Sequence, residues 1–288
     1  MLGQLGKYFF DVFNNKAKFL LEKRNKIAIH QYKNLKSKHL KRKVRFDVYL
    51  PPSYEKPLRS YPLLFFNDGQ DMKAIQLTQS LRQLYDRGEI QELVVVAIHA
   101  GNRMQEYGTE RMVDYKNRGR EAWAYSRFLL GELRPFLHHK YHCSETKAGD
   151  AIAGFSLGGL SAMDIAWNHS DLFGKVGVFS GSFWWRSYAV RPYAPDSDRI
   201  MQHLVRQSSK REGLQFWLQT GTLDEKSDRN YNGIIDSIDD TLDLIAELEK
   251  LGYVREKDIK YVEVKGGKHH PSTWAEVLPD FLKWGFPV

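Results

Sequence analysis

The sequence predicts an α/β domain whose mostly parallel central sheet is covered by helices on both faces. Three observations carry that expectation. Short apolar runs at residues 62–67, 93–98, 176–179, 214–219 and 259–264 have the length and the Val, Leu and Phe content of buried strands, with amphipathic stretches of helical period between them. Strand and helix alternate along the chain, which calls for crossover connections and hence parallel pairing. The 288 residues, 42% of them hydrophobic, are enough to bury one large core, and neither an internal repeat nor a low-complexity linker divides them.

The chain opens on a basic segment. Over residues 5–28, Leu5, Phe9, Val12, Phe13, Ala17 and Leu20 fall near one face at helical spacing, while Lys16, Lys18, Lys23, Arg24 and Lys26 lie mostly elsewhere. Residues 1–34 therefore read as a basic amphipathic helical extension, whose apolar face suits an anionic membrane surface or a partner but more commonly packs on its own domain, and residues 35–288 as the domain itself. From about Lys33 the pattern becomes extended: Val44, Phe46, Val48 and Leu50 alternate with Arg45, Asp47 and Tyr49 until Pro51 and Pro52 stop the strand. The strand at 62–67 leads through the turn Asp68-Gly69-Gln70 into a helix over about 71–85. The Val-rich strand at 93–98 opens into a long polar loop, residues 101–118, of a length that in compact domains is often functional. A helix over 121–137 precedes a strand that ends near residue 155. Next come the strand at 176–179, which runs into Ser180-Gly181-Ser182-Phe183-Trp184-Trp185, a helix near 199–207 and the strand at 214–219. A loop over 220–237, a helix over 239–251, the strand at 259–264 and a helix over 271–284 complete the chain.

Composition narrows the function. The net charge of +8 resembles a nucleic-acid signal until it is located: residues 1–46 hold 13 Lys or Arg against Asp11 and Glu22, so that segment carries +11 and the remainder −3. No zinc-ligand spacing or RNA-binding signature accompanies the excess, and no nucleic-acid partner is expected. A lone cysteine, Cys143, cannot form an internal disulfide or a paired-thiol redox centre, which suits a reducing compartment. The opening residues lack the features of a secretory signal, and no stretch reaches the roughly eighteen apolar residues of a membrane span. A cytoplasmic protein with no transmembrane segment is expected.

Catalytic chemistry is written at residues 148–163. Gly154, Ser156 and Gly158 form G-x-S-x-G, the nucleophile elbow, in which a serine at a sharp strand-to-helix turn presents Oγ over a helix N-terminus. On the order of one in ten chains of this length would carry that pattern by chance, so its flanks matter: an apolar strand precedes it and an amphipathic run follows. A serine hydroxyl needs a base. Of ten histidines, only His269 and His270 fall between a late strand and the last helix, at the sheet edge where the elbow opens. The third member should be a carboxylate between serine and histidine in the sequence. Asp224, just after the strand at 214–219, fits, with Glu225 and Asp228 close enough to compete.

Five stretches together resemble the esterase D and enterochelin esterase family of α/β-hydrolase serine esterases. They are residues 37–54, Asp68-Gly69-Gln70, Gly154-Phe155-Ser156-Leu157-Gly158-Gly159, residues 180–185, and Gly266-Gly267-Lys268-His269 with Trp274. The resemblance runs over about residues 35–287 and implies an α/β-hydrolase fold and a serine carboxylic-ester hydrolase acting on a small-molecule ester. It implies Ser156 as nucleophile, Asp224 as acid and His269 as base, the last because the family histidine stands five positions before a tryptophan. The backbone amides of Gln70 and Leu157 would form the oxyanion hole. No cofactor is required for this chemistry. An acyltransferase using the same triad and a binding module that keeps the fold without turnover are the alternatives. Trp184 and Trp185 read equally as pocket lining or as core; with the 101–118 loop they suggest an open cleft for a bulky polar ester rather than formylglutathione.

One stretch departs from that pattern. Residues 228–239 have the spacing of a calcium loop, with Asp228, Asn230, Asn232, Asp236 and Asp239 as side-chain ligands and the Ile234 carbonyl as backbone ligand. The same residues read as an Asn-Gly turn before a helix, without metal.

Overall fold

The computed structural model describes residues 26–54, 59–146 and 149–288. The helix expected at residues 5–28 lies almost wholly outside them. The strands are β1 (Ala28–Lys36), β2 (Lys43–Leu50), β3 (Leu63–Asn67), β4 (Val94–Ile98), β5 (Ala151–Phe155), β6 (Lys175–Phe179), β7 (Gln215–Leu223) and β8 (Ile259–Lys268). They form one sheet in the order β1-β2-β4-β3-β5-β6-β7-β8. β1 pairs antiparallel with β2, and β2 with β4; every later pairing is parallel. Residues 28–34 thus belong to the sheet, so the domain starts before the boundary expected at residue 35. Lys33 and Lys36 on this outermost, largely exposed strand blunt its open edge.

The helices are α1 (Leu77–Arg87), α2 (Arg103–Glu106), α3 (Ala122–Phe128), α4 (Arg134–Lys140), α5 (Leu157–Asn168), α6 (Ile200–Arg206), α7 (Asp236–Lys250) and α8 (Pro271–Gly285). One π-helical turn, Leu129–Leu133, joins α3 to α4. Strand residues divide by parity between two cores. Leu63 and Phe65 of β3, with Val94 and Val96 of β4, face α3 to α7, whereas Leu64, Phe66, Val95 and Ala97 face α1 and α8. All eight are fully buried, which is why these strands read as unbroken apolar runs rather than as alternation.

The start of α1 differs from expectation. α1 begins at Leu77, not near residue 71, because Asp68 and Gln76 take left-handed backbone conformations (φ 60° and 55°) and Gly69–Asp71 form a tight 3-10 turn. The 101–118 loop is ordered from within by buried carboxylates. Glu106 accepts from the Arg42 guanidinium at 2.6 Å, and Asp114 accepts from Arg118 at 2.6 Å.

Candidate active site

The elbow is forced by its neighbours. At Ser156 the chain leaves β5 and enters α5 with φ 53° and ψ −120°, a conformation few L residues adopt. Its amide donates to the Phe179 carbonyl at the end of β6 (2.9 Å), and its carbonyl accepts from the Ser182 amide (3.1 Å). A Cβ on Gly154 would lie 2.3 Å from the Gly158 carbonyl oxygen, and one on Gly158 would lie 2.5 Å from an Asp68 carboxylate oxygen. Both glycines are therefore required by close approach, and the second packs the 68–70 turn against the elbow.

β7 and β8 bring the other two residues. Their register shifts after Gly221 and then pairs Leu223 with Lys268, so Asp224 and His269, next along each strand, leave the sheet edge side by side. His270 is committed elsewhere: it caps α8, its Nδ1 accepting the Ser272 amide at 3.2 Å. Ser156, Leu157, Asp224 and His269 line one cavity of about 320 Å³. Two roomier cavities, one beside Asp164 and His203 and one beside His30, contain none of the three, so size alone does not mark the site.

Electrostatics suit a neutral base. His269 is open to solvent as a whole residue, yet its ring packs edge-on against Trp274, with centroids 5.5 Å apart. This partial burial lowers its pKa below the usual histidine value; the Asp224 charge opposes that and the Arg103 guanidinium adds to it. Burial raises the Asp224 carboxyl above its ordinary range, offset by the Gly221 amide, Ser180 and His269. Asp224 Oδ2 accepts from Gly221 at 3.0 Å, while its buried Oδ1 has no hydrogen-bond partner among the described residues. Ser156 Oγ lies 3.2 Å from Ser182 Oγ. The nucleophile's resting partner is thus a second serine, a common state before substrate tightens the catalytic hydrogen bonds.

The remaining expected residues divide. Leu157 lines the cavity and Gln70 does not, although the Gln70 side chain donates to Asp68 (2.9 Å), which Arg103 clamps with two bonds of 2.8 and 2.9 Å. Trp184 lines the cavity. Trp185 as a pocket residue is corrected: it is fully buried, its ring pressed against Gly108 and Gly119 of the 101–118 loop, and it belongs to the core.

Comparison with known proteins is decisive for the family. Residues 37–284 match the Esterase family model, described as "Putative esterase". The chain belongs to this esterase family. It is a carboxylic ester hydrolase on an α/β-hydrolase fold. This esterase is 23% identical over 255 residues to the uncharacterized protein YbbA of Bacillus subtilis, covering 86% of this chain and 94% of that one. It is 25% identical over 254 residues to YjcH of the same organism, covering 88% and 95%. Among solved structures, a ferulic acid esterase superposes with a TM-score of 0.69 at 20% identity, covering 91% of this chain and 98% of that one. The enterobactin esterase FES of Shigella flexneri superposes at 0.70 with 21% identity, covering 91% of this chain and 60% of that esterase.

Sequence reasoning missed several residues of the esterase's cavity. Met104, Ser180, Ser182 and Ser237 all line it, beside Glu225, which the sequence offered only as a rival acid after β7. Ser180 and Ser182 carried a signal, being next to the Trp pair; Met104 and Ser237 are brought in by α2 and the start of α7. Ser180 also accepts from Trp274 Nε1 at 3.0 Å, linking the tryptophan behind His269 to the surroundings of Asp224.

The 228–239 loop closes on itself. Asp228 accepts the amides of Asn232 (3.1 Å) and Gly233 (2.9 Å), and Asn232 Oδ1 accepts the amide of Ile234 (2.8 Å). The side-chain amides of Asn230 and Asn232 donate to Asp239 at 2.9 and 3.2 Å. Into the carboxylates projects Arg229, a cation the loop supplies itself, 2.8 Å from Asp196, 3.2 Å from Asp236 and 2.6 Å from Asp240.

Proposed function

We propose that this esterase works through an acyl-enzyme on Ser156, with His269 as general base and then general acid and Asp224 holding the imidazole. The observation that supports this best is the shared cavity. A strained serine at a helix N-terminus, a histidine with a lowered pKa and a carboxylate with an open Oδ1 meet there from three different strand ends. Attack by Ser156 Oγ transfers its proton to His269 Nε2 and forms a tetrahedral oxyanion, which in this reading the amides of Leu157, at the first turn of α5, and of Gln70 receive. Collapse expels the alcohol with the proton from His269. Water, deprotonated by the same imidazole, then releases the acid and restores Ser156.

The experiment is fluorophosphonate labelling followed by peptide mass mapping, together with burst kinetics on a nitrophenyl ester. Label on Ser156 and a burst of one nitrophenol per protein are expected; absence of label on Ser156 sinks the proposal. A retained alcohol acceptor that diverts the acyl group from water would indicate acyl transfer instead. The reading of a reducing compartment rests on Cys143, which is buried and free; among the described residues no helix is long and apolar enough to cross a membrane.

A further inference from the structure

The cavity around Ser156 has an unequal charge balance. Its charged lining groups are Asp224, Glu225 and the ionisable His269, and no lysine or arginine is among the residues that line it. Asp224 faces His269, which leaves Glu225 as the carboxylate with no cation in the cavity. The nearby guanidiniums are spoken for: Arg103 is clamped on Asp68, and Arg118 is held by Asp114. Burial, and after it Asp236 and Asp240, raises the Glu225 carboxyl above its ordinary range, while the Ser237 amide at the start of α7 and Ser227 partly offset this; the Arg229 cation behind the cavity is itself held by Asp236 and Asp240.

Beside Glu225 stands a hydroxyl in need of a partner. Ser237 is 8% exposed and lines the same cavity, yet its Oγ makes no hydrogen bond among the described residues. A buried hydroxyl without a partner is uncommon, because it forgoes its hydrogen bonds to water without replacement. The chemistry of the pair is specific. A carboxylate accepts hydrogen bonds and gives none, and a hydroxyl can do both, so together they complete themselves on a group that donates and also accepts. An alcohol does this; an alkyl end leaves both unsatisfied, and a carboxylate is repelled by Glu225.

Resting on the esterase reading above, we propose that Glu225 and Ser237 form a specificity subsite that selects esters whose non-reacting end carries an uncharged hydroxyl and rejects esters that carry a carboxylate there. Substrate binds with its ester carbonyl at Ser156 and its hydroxyl donating to Glu225 while accepting from Ser237. Anionic esters enter a cavity that offers their charge no counter-ion.

The test compares kcat/KM for nitrophenyl esters of ω-hydroxyhexanoic acid, heptanoic acid and adipic acid, the last as the free-acid monoester. The first two are matched in length. The series is repeated on the alcohol side with acetates of hexanediol, heptanol and ω-hydroxyhexanoate, since the subsite serves one side of the ester. In one of the two series the hydroxyl member should exceed the alkyl member several-fold and the carboxylate member by at least tenfold, a discrimination of about 1.4 kcal/mol. Glu225→Gln should raise the carboxylate-to-hydroxyl ratio about tenfold, and Ser237→Ala should lower the hydroxyl-to-alkyl ratio several-fold. Ratios within one protein are insensitive to partial loss of folded material, and Ser237→Ala tests the subsite while leaving the Glu225 carboxylate in place. Equal rates across both series, or ratios unchanged in both variants, overturn the subsite while labelling of Ser156 upholds the esterase mechanism. No turnover of any ester and no label on Ser156 overturn both. An ω-ammonium ester that outruns the hydroxyl ester assigns Glu225 to cation binding and also overturns the hydroxyl preference.

Discussion

At the scale of the residue, Ser156 and His269 divide the work of catalysis, and each makes a measurable prediction. Ser156→Ala removes the nucleophile and should reduce kcat by about 10⁴-fold or more, with the fold intact by circular dichroism. The pH profile follows from the imidazole. Its pKa lies below the usual 6.5 because burial and Arg103 disfavour the charged ring, and only the neutral ring can accept the serine proton. The acid limb of kcat/KM should therefore have its midpoint below 6.5, with activity lost as pH falls through it; a midpoint at or above that value would refute this account of His269. Both residues were legible in the sequence because their signals are local, a five-residue motif in one case and a histidine at a strand-to-helix junction in the other. Glu225 and Ser237 were not legible as a pair. They come from either end of a loop twelve residues apart, and only the packing of α7 against the end of β7 sets them in one cavity. Trp184 and Trp185 show the same limit from the other side. Adjacent and chemically identical, they part between cavity and core in the turn that follows β6, where no regular period tells which side chain points inward.

At the scale of the element, the 228–239 loop decides how the acid is held. Its spacing suggested calcium, and its folded form contains a nearly buried arginine, 6% exposed, among Asp196, Asp236 and Asp240. We propose that Arg229 is the cation of this loop and that calcium is not needed. Removing Arg229 takes away the cation beside Asp236 and leaves Asp240 to Arg199 alone, so Arg229→Ala should cost about 1–3 kcal/mol in a denaturant titration. Chelator and added calcium should leave the wild-type melting curve unmoved. A bound ion at a hundred times its Kd would instead add about 2.7 kcal/mol, and a calcium-dependent rise in Tm that disappears in Asp228→Ala would overturn the assignment. Sequence spacing could not separate these outcomes, since it records where oxygen ligands fall and not that the residue at the second position folds back among them.

At the scale of the whole molecule, a sheet covered on both faces must bury its crossover helices, and α5 is the extreme case, with every residue from Leu157 to Trp167 buried. The topology was readable for this reason, because strands and helices packed on all sides carry continuous apolar runs; the pairing register that aligns Asp224 with His269 was not, because it depends on a bulge between two strands forty residues apart. The same burial encloses Asp164 on α5, 1% exposed, which accepts the Glu110 amide at 2.8 Å and Asn168 Nδ2 at 3.1 Å. Its carboxyl is pushed up from 3.8 to about 7, chiefly by desolvation. Between those two values the folded state holds a proton that the unfolded state has released, so this group's contribution to stability falls as pH rises through the window and is level above it. At about 1.4 kcal/mol per unit, ionising Asp164 in place costs on the order of a few kcal/mol. Asp164→Asn keeps the shape and removes the charge. Its Tm relative to wild type should therefore climb as pH is raised from about 4 to about 7 and then hold steady, the direction opposite to that of a carboxylate stabilised by a salt bridge. A difference between the two melting temperatures that is constant across the whole range would show that Asp164 is ionised throughout, and with it that the interior beneath the elbow helix is more polar than its packing implies.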